Sequence, residues 1–203
     1  LSKLINSIKL LKDERGDLSP DEEELMIAMA DSSAVRLHEE IGSIFQFLNT
    51  VNAASPGQAR CPVPEISLII NEVKTALELP NVTVLNQNQP NLGDRTALAV
   101  SRQAMELILW ELLKNAQKFQ PRQFPTVEVA LSSTSSGAKI KVTDDGLTLS
   151  PEQLSKMWTP YYQVEKHFSG QVPGMGLGLS MVSSLVWSVG GRCLAYNRTG
   201  ADG

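Results

Sequence analysis

The sequence predicts an α+β protein in two parts: a helical hairpin, then a sheet with one face covered by helices. Three observations predict it. Apolar residues recur at alternating 3- and 4-residue steps through Ile27, Ala30, Ala34, Leu37, Ile41, Ile44, Leu48 and Val51, the spacing of a coiled-coil or bundle seam. The run Ala53-Ala-Ser-Pro-Gly57-Gln then interrupts that spacing as a linker does. Beyond it, short apolar strand-like runs alternate with helical patterns, the mixture expected of helices laid on one face of a sheet.

The elements are justified in order along the chain. Leu1, Leu4, Ile8 and Leu11 stripe a first helix over residues 1–12, and Gly16-Asp-Leu-Ser19 breaks it. Ser19 can cap a second helix, Pro20 suits its first position, and Glu22 completes a capping box. Two helices do not cover the long seam by themselves. Residues 1–55 are therefore expected to form a hairpin that pairs with a second copy as a dimeric four-helix bundle. The seam also allows an intramolecular helical pair lying on the rest of the chain. Residues 62–203 form the second part. It reads as an amphipathic helix over 64–79, a short strand over Val82–Leu85, and a helix capped by Ser101 that runs to about Phe119 and is stopped by Gln120-Pro121. Strands at Val127–Leu131 and Ile140–Val142 come next. A short helix starts at Ser150-Pro151, an irregular stretch covers 159–173, an apolar helix spans Leu177–Val189, and a strand spans Cys193–Tyr196.

At 203 residues and 42% hydrophobic composition the chain can bury a core. A net charge of −4 argues against broad nucleic-acid binding or an anionic membrane surface, which need a basic face. Cys61 and Cys193 have no metal-ligand spacing and read as two buried thiols in a reducing compartment, with a single disulfide as the other possibility. No run reaches the ~18 apolar residues of a membrane helix. The sequence begins in mid-pattern at Leu1 and ends in a turn that awaits a further strand, which reads as a piece of a longer protein with its last strand missing. Any membrane attachment would then lie in other parts of the parent.

Three segments carry chemistry. In Glu111-Leu-Leu-Lys-Asn115-Ala-Gln-Lys118, an acid, an amide and a cation sit at i, i+4 and i+7 on one helical face. The spacing also fits a solvated polar stripe, yet its neighbours Trp110, Leu112, Leu113 and Ala116 are apolar. An amide oxygen at Asn115 suits Mg²⁺, which is held by few protein groups, and Lys118 can face phosphate as a point charge. Asp144-Asp145-Gly146 ends a strand-like run. Its carboxylate can accept from the adenine amino group, and Gly146 lets backbone approach the base, although Asp-Gly is also a common turn. Gly174-Met-Gly176-Leu-Gly178-Leu179 runs into an apolar helix. Its alternate glycines clear Cβ atoms where N–H groups can face an anion at a helix N-terminus; a glycine-rich hinge has the same composition.

The order of these segments resembles the histidine-kinase branch of the GHKL ATPases, the superfamily that includes gyrase, over nearly the whole chain. Residues 111–119 resemble the family's asparagine box, with Asn115 in the metal-ligand position. Asp144–Gly146 resemble the first glycine box, with Asp144 in the adenine position. Met157-Trp-Thr-Pro160-Tyr-Tyr-Gln163 resembles the aromatic-Pro-aromatic box before the lid, and Gly174–Leu179 the second glycine box. The resemblance implies a Bergerat-type α/β sandwich that binds ATP and Mg²⁺ through Asn115, Lys118, Phe119, Asp144, Gly146, Tyr162, Gly174, Gly176, Leu177, Gly178 and Leu179. Glu111 and Lys118 are the catalytic candidates, and residues 163–174 the ATP lid. Thr148 departs from the family, standing where its first glycine box has a second glycine, and is expected to stiffen that loop or alter nucleotide affinity.

The chain has two histidines. His38-Glu39 imitates the start of the family's acceptor motif, but no proline comes after it, so His38 reads as a solvated or interface residue. His167 reads as a loop residue. Leu1–Ile8 instead resembles the segment directly after that proline, which implies an acceptor histidine six residues upstream of Leu1. The implied function is a cytoplasmic protein-histidine kinase module of a two-component system. It would pass the γ-phosphoryl to that histidine and on to an aspartate of a response-regulator receiver domain. A GHKL-type ATPase and a nucleotide-binding dimeric scaffold without turnover are the alternatives.

Overall fold

The computed structural model describes residues 2–13, 18–53, 60–86, 97–122, 124–134, 137–163 and 176–198. It divides into two compact units, one gathering residues 1–48 and the other built from residues 49–172 and 176–203.

The first unit is helical. Helix α1 spans Ser2–Asp13 and α2 spans Pro20–Ala53. The start of α2 is fixed locally: Glu22 N donates to Ser19 Oγ (3.4 Å), while Ser19 N and Oγ donate to Glu22 Oε2 (2.9 and 2.7 Å). These bonds satisfy donors that the helix itself leaves open. The seam of α2 is split. Ala30, Leu37 and Ile44 are half-buried, whereas Ile27, Ala34, Ile41 and Leu48 are exposed. On α1 the shielded row is Leu4, Ser7 and Leu11, and Ile8 of the expected stripe is exposed. A 3.6-residue turn lets position i+3 take the inner row as readily as i+4.

The second unit is α+β. Strand β1 (Cys61–Pro62) pairs antiparallel with β3 (Ala97–Leu98), a ribbon that the sequence patterns did not predict. Between them lie α3 (Val63–Ala76) and β2 (Val82–Asn86). Helix α3 buries Val63, Ile66, Ile69, Ile70 and Val73 at helical spacing and ends at Ala76, with Glu78 just beyond it at a left-handed φ of 55°. Helix α4 (Arg102–Lys118) starts where Ser101 Oγ accepts from Ala104 N at 3.0 Å. It supplies the crossover that the parallel pairing of β2 with β4 (Val127–Thr134) requires. Strand β5 (Gly137–Thr143) closes an antiparallel hairpin on β4, giving the order β2-β4-β5. Helices α5 (Pro151–Lys156) and α6 (Gly178–Ser188) complete the unit.

Helix α4 packs against both α3 and α6. The core combines their apolar faces with Val127, Val129 and Leu131 of β4, while Glu128 on the opposite face is exposed. Residues 192–198 alternate exposed and half-buried side chains as a strand would. They join no ladder among the described residues, so the expected strand at Cys193–Tyr196 is not one. The segment is attached by side chains: Lys141 Nζ lies 5.9 Å from the Tyr196 ring centroid, and Asn197 bonds to the Leu149 backbone. Cys61 is buried but Cys193 only half-buried, which corrects the expectation of two buried thiols. Both are free, and burial raises both thiol pKa values. No described helix is long and apolar enough to cross a membrane.

Candidate functional site

The last two turns of α4 bring most of the predicted residues together. Glu111, Asn115 and Lys118 are each half-buried there, on the face that the spacing implied. At the N-terminal end of this face Glu111 lies against the first residue of α6: a Cβ on Gly178 would overlap Glu111 Oε2. Burial raises the Glu111 carboxyl pKa, with Lys114 and Lys118 opposing the rise. A desolvated carboxylate is costly, and the two cations limit that cost.

Helix α6 begins without a side-chain cap at Leu177, whereas α4 and α5 have capping serines. Met181 N donates to Leu177 O at 2.9 Å, the first turn's closing bond. The N–H groups ahead of it, including those of Gly178 and Leu179, have no partner within the helix. An anion is the natural ligand for such a terminus. Gly176 stands just before it at φ 73°, and a Cβ there would come within 2.6 Å of Tyr162 O. Tyr161, itself at φ 64°, donates from its N–H to Gly176 O at 2.9 Å. Gly176 therefore meets both demands that favour glycine, a left-handed backbone and close approach. Gly174, His167 and the expected lid over 163–174, apart from half-buried Gln163, lie outside the described residues.

At the other end, Phe119 caps α4, and Lys118 Nζ sits 5.1 Å from its ring centroid. The loop after β5 meets this cap: a Cβ on Gly146 would lie 3.5 Å from Phe119 O. Asp144 is exposed, and its Oδ1 accepts from Gly146 N at 2.8 Å. Its second oxygen makes no hydrogen bond among the described residues. Thr148 is exposed and does not take the left-handed conformation that glycine favours. The loop thus makes no glycine-only demand at that position.

Two residues of this loop system escaped the sequence patterns. Asp145 Oδ1 accepts from Thr126 N at 2.9 Å. Asn197 makes a two-bond clasp: Leu149 N donates to its Oδ1 at 2.9 Å, and its Nδ2 donates to Leu149 O at 2.7 Å. Asp145 lies inside the recognised segment, but which backbone group it reaches depends on the β4–β5 register. Asn197 is 48 positions from its partner, and no local pattern marks it. Beside the loop, Thr143 Oγ1 is buried without a hydrogen-bond partner, the one such side-chain atom among the described residues.

The donor set fits Mg²⁺. The Asn115 amide makes no hydrogen bond among the described residues, and no cluster of three His, Cys, Asp or Glu groups stands among them to form an all-protein cage. One amide oxygen beside a carboxylate is what an ion that retains water and substrate oxygens requires.

Comparison with known proteins agrees with this geometry. The family described as "Histidine kinase-, DNA gyrase B-, and HSP90-like ATPase" matches residues 101–202. The "Non-motile and phage-resistance protein" of Caulobacter vibrioides is 37% identical over 86 residues, covering 41% of this chain and 10% of that protein. Histidine protein kinase DivJ of the same organism is 35% identical over 100 residues, covering 49% of this chain and 16% of that protein. The chain thus spans a small part of these relatives. Among solved structures, the catalytic domain of histidine kinase ThkA has a TM-score of 0.52 at 18% identity, covering 70% of this chain and 88% of that one. Acinetobacter baumannii histidine kinase AdeS has a TM-score of 0.57 at 12% identity, covering 92% and 83%. Both show the histidine-kinase catalytic fold rather than a shared activity. The chain belongs to the family of histidine kinase-, DNA gyrase B- and HSP90-like ATPases.

Proposed function

We propose that this chain is the ATP-binding and helical-hairpin part of a two-component sensor histidine kinase. The observation that carries the reading is the convergence on α4: Glu111 against Gly178 at one end, and Phe119 against Gly146 and Asp144 at the other. Between them Asn115 and Lys118 face the position that a triphosphate would take.

Asp144 holds the adenine amino group, with Gly146 against the base and Phe119 beside it, while Tyr162 lies against Gly176 at the α6 end of the site. Lys118 neutralises phosphate charge. The uncapped N-terminus of α6, with Gly174, Gly176, Leu177, Gly178 and Leu179, cradles the phosphates. Asn115 would hold Mg²⁺ and Glu111 would order water beside it; when bound, the ion would supply charge neutralisation at the phosphates. Catalysis is positioning and charge neutralisation. An imidazole nitrogen of a histidine upstream of Leu1 attacks the γ-phosphorus as the bond to the ADP oxygen breaks. The phosphoryl then passes to a carboxylate of a response-regulator receiver domain.

Residues 1–55 serve as the dimerisation hairpin and residues 62–203 as the catalytic domain. The exposed half of the α2 seam (Ile27, Ala34, Ile41 and Leu48) supports pairing with a second copy, since a seam half-covered within one chain leaves apolar area for another. This part of the protein works in the cytoplasm, where ATP and receiver domains are found. The reading is tested by calorimetric titration with ATP and Mg²⁺. Saturable binding is expected, with a loss of about tenfold or more in Asp144→Asn. Undiminished binding in that variant would overturn the base assignment.

A further inference from the structure

We infer that Asn197 is a positioning residue for the base end of the nucleotide site, and that its clasp on Leu149 lets this chain discriminate adenine from other bases. The inference rests on the reading of Asp144 as the base-binding carboxylate. Beyond Thr143 the chain leaves the β4–β5 ladder, so residues 144–149 have no strand neighbour to hold them. Side chains hold them instead. Asp145 Oδ1 takes Thr126 N at the loop's start, and the Asn197 amide takes both the N–H and the carbonyl of Leu149 at its end. Immediately afterwards Ser150 and Gln153 form a reciprocal capping box that begins α5.

The two attachments are not equal. The Asp145 bond is exposed, where water competes with it. The Asn197 pair is partly buried, and a primary amide matches a peptide group donor to acceptor and acceptor to donor. Losing Asn197 would leave two backbone groups of Leu149 unpaired at a half-shielded position, and the loop free to shift relative to α4. A hydrogen bond from adenine to Asp144 depends on that placement. Phosphate contacts at the α6 terminus do not, because Gly176 and Gly178 are fixed by Tyr161, Tyr162 and Glu111. The clasp should therefore govern base selectivity and leave triphosphate affinity alone.

The test is competition binding on the full 203-residue chain with Mg²⁺, comparing ATP, GTP and inorganic tripolyphosphate. Asn197→Ala is expected to lower ATP affinity by about tenfold, to collapse the preference for ATP over GTP, and to leave tripolyphosphate affinity unchanged. If Asn197→Ala does not fold, Asn197→Asp serves. It keeps the acceptor for Leu149 N but sets a carboxylate against Leu149 O, and the same pattern is expected. Unchanged ATP/GTP selectivity in the folded variant overturns the inference, as does a parallel loss of tripolyphosphate affinity, which would mark Asn197 as a general prop. Asp144→Asn separates the two readings. If it abolishes selectivity while the Asn197 variant does not, only the inference fails. If it too leaves selectivity intact, the base assignment fails first.

Discussion

Helix α4 meets the start of α6 where the Glu111 side chain fills the space a Cβ on Gly178 would need, whereas the loop beyond β5 is held by side-chain hydrogen bonds from Asp145 and Asn197. One end of the site is defined by side chains that are missing and the other by side chains that are present. The α6 end should therefore fail when volume is added, and the β5 end when polar partners are removed. The division fits the proposed chemistry. A phosphate cradle needs bare backbone N–H groups at close range, while reading a base needs a carboxylate at a fixed angle.

Predictions that would break this contrast run from large to small. Gly176→Ala should be the most damaging, because the new Cβ meets rigid backbone at Tyr162 O and the residue sits at φ 73°. A stability loss of about 1–3 kcal/mol and loss of measurable ATP binding are expected by thermal denaturation and calorimetry. Gly178→Ala meets only the flexible end of the Glu111 side chain. It should cost about 1 kcal/mol while weakening tripolyphosphate and ATP alike; a loss confined to ATP would contradict the division of labour. At the β5 end, Thr143→Val replaces an unpartnered buried hydroxyl with a methyl of similar shape. Denaturant melts should show a gain of about 1 kcal/mol with base selectivity intact.

The smallest effect is pH-dependent. Burial raises the Glu111 carboxyl pKa from the usual 4.5. The folded state therefore holds that proton more tightly than the unfolded chain. The charged carboxylate weakens folding increasingly as pH rises from 4.5 through the raised value. Glu111→Gln should raise the melting temperature at neutral pH, with the gain shrinking as pH falls and vanishing below 4.5. A gain that persists undiminished at low pH would show that burial of charge is not its source.

Legibility in the sequence tracks the range of the interactions. The capping box at Ser19–Glu22, the serine cap at Ser101 and the helix start at Ser150-Pro151 are local, and the structure has them where the residue order placed them. The ATP-binding family was legible because three short segments appear in a fixed order. The β1–β3 ribbon and the Asn197 clasp were not, since each joins residues more than thirty positions apart with no periodicity to announce them. The alternating segment at 193–196 misled for a related reason. Alternation reports which side chains face water, but a strand also needs a hydrogen-bonded neighbour, and here attachment passes through Tyr196 and Asn197 instead.

The bond from Tyr161 N to Gly176 O has a consequence for how this chain can vary. It brings together the two points between which the chain leaves and returns, so the intervening segment is a closed excursion whose length is uncoupled from the frame. Closing a longer excursion costs little, about 0.6 kcal/mol for each doubling. Insertions or deletions within residues 164–173 should thus leave α4, α6 and the base loop in register. The frame would take up such changes without moving its most constrained glycine.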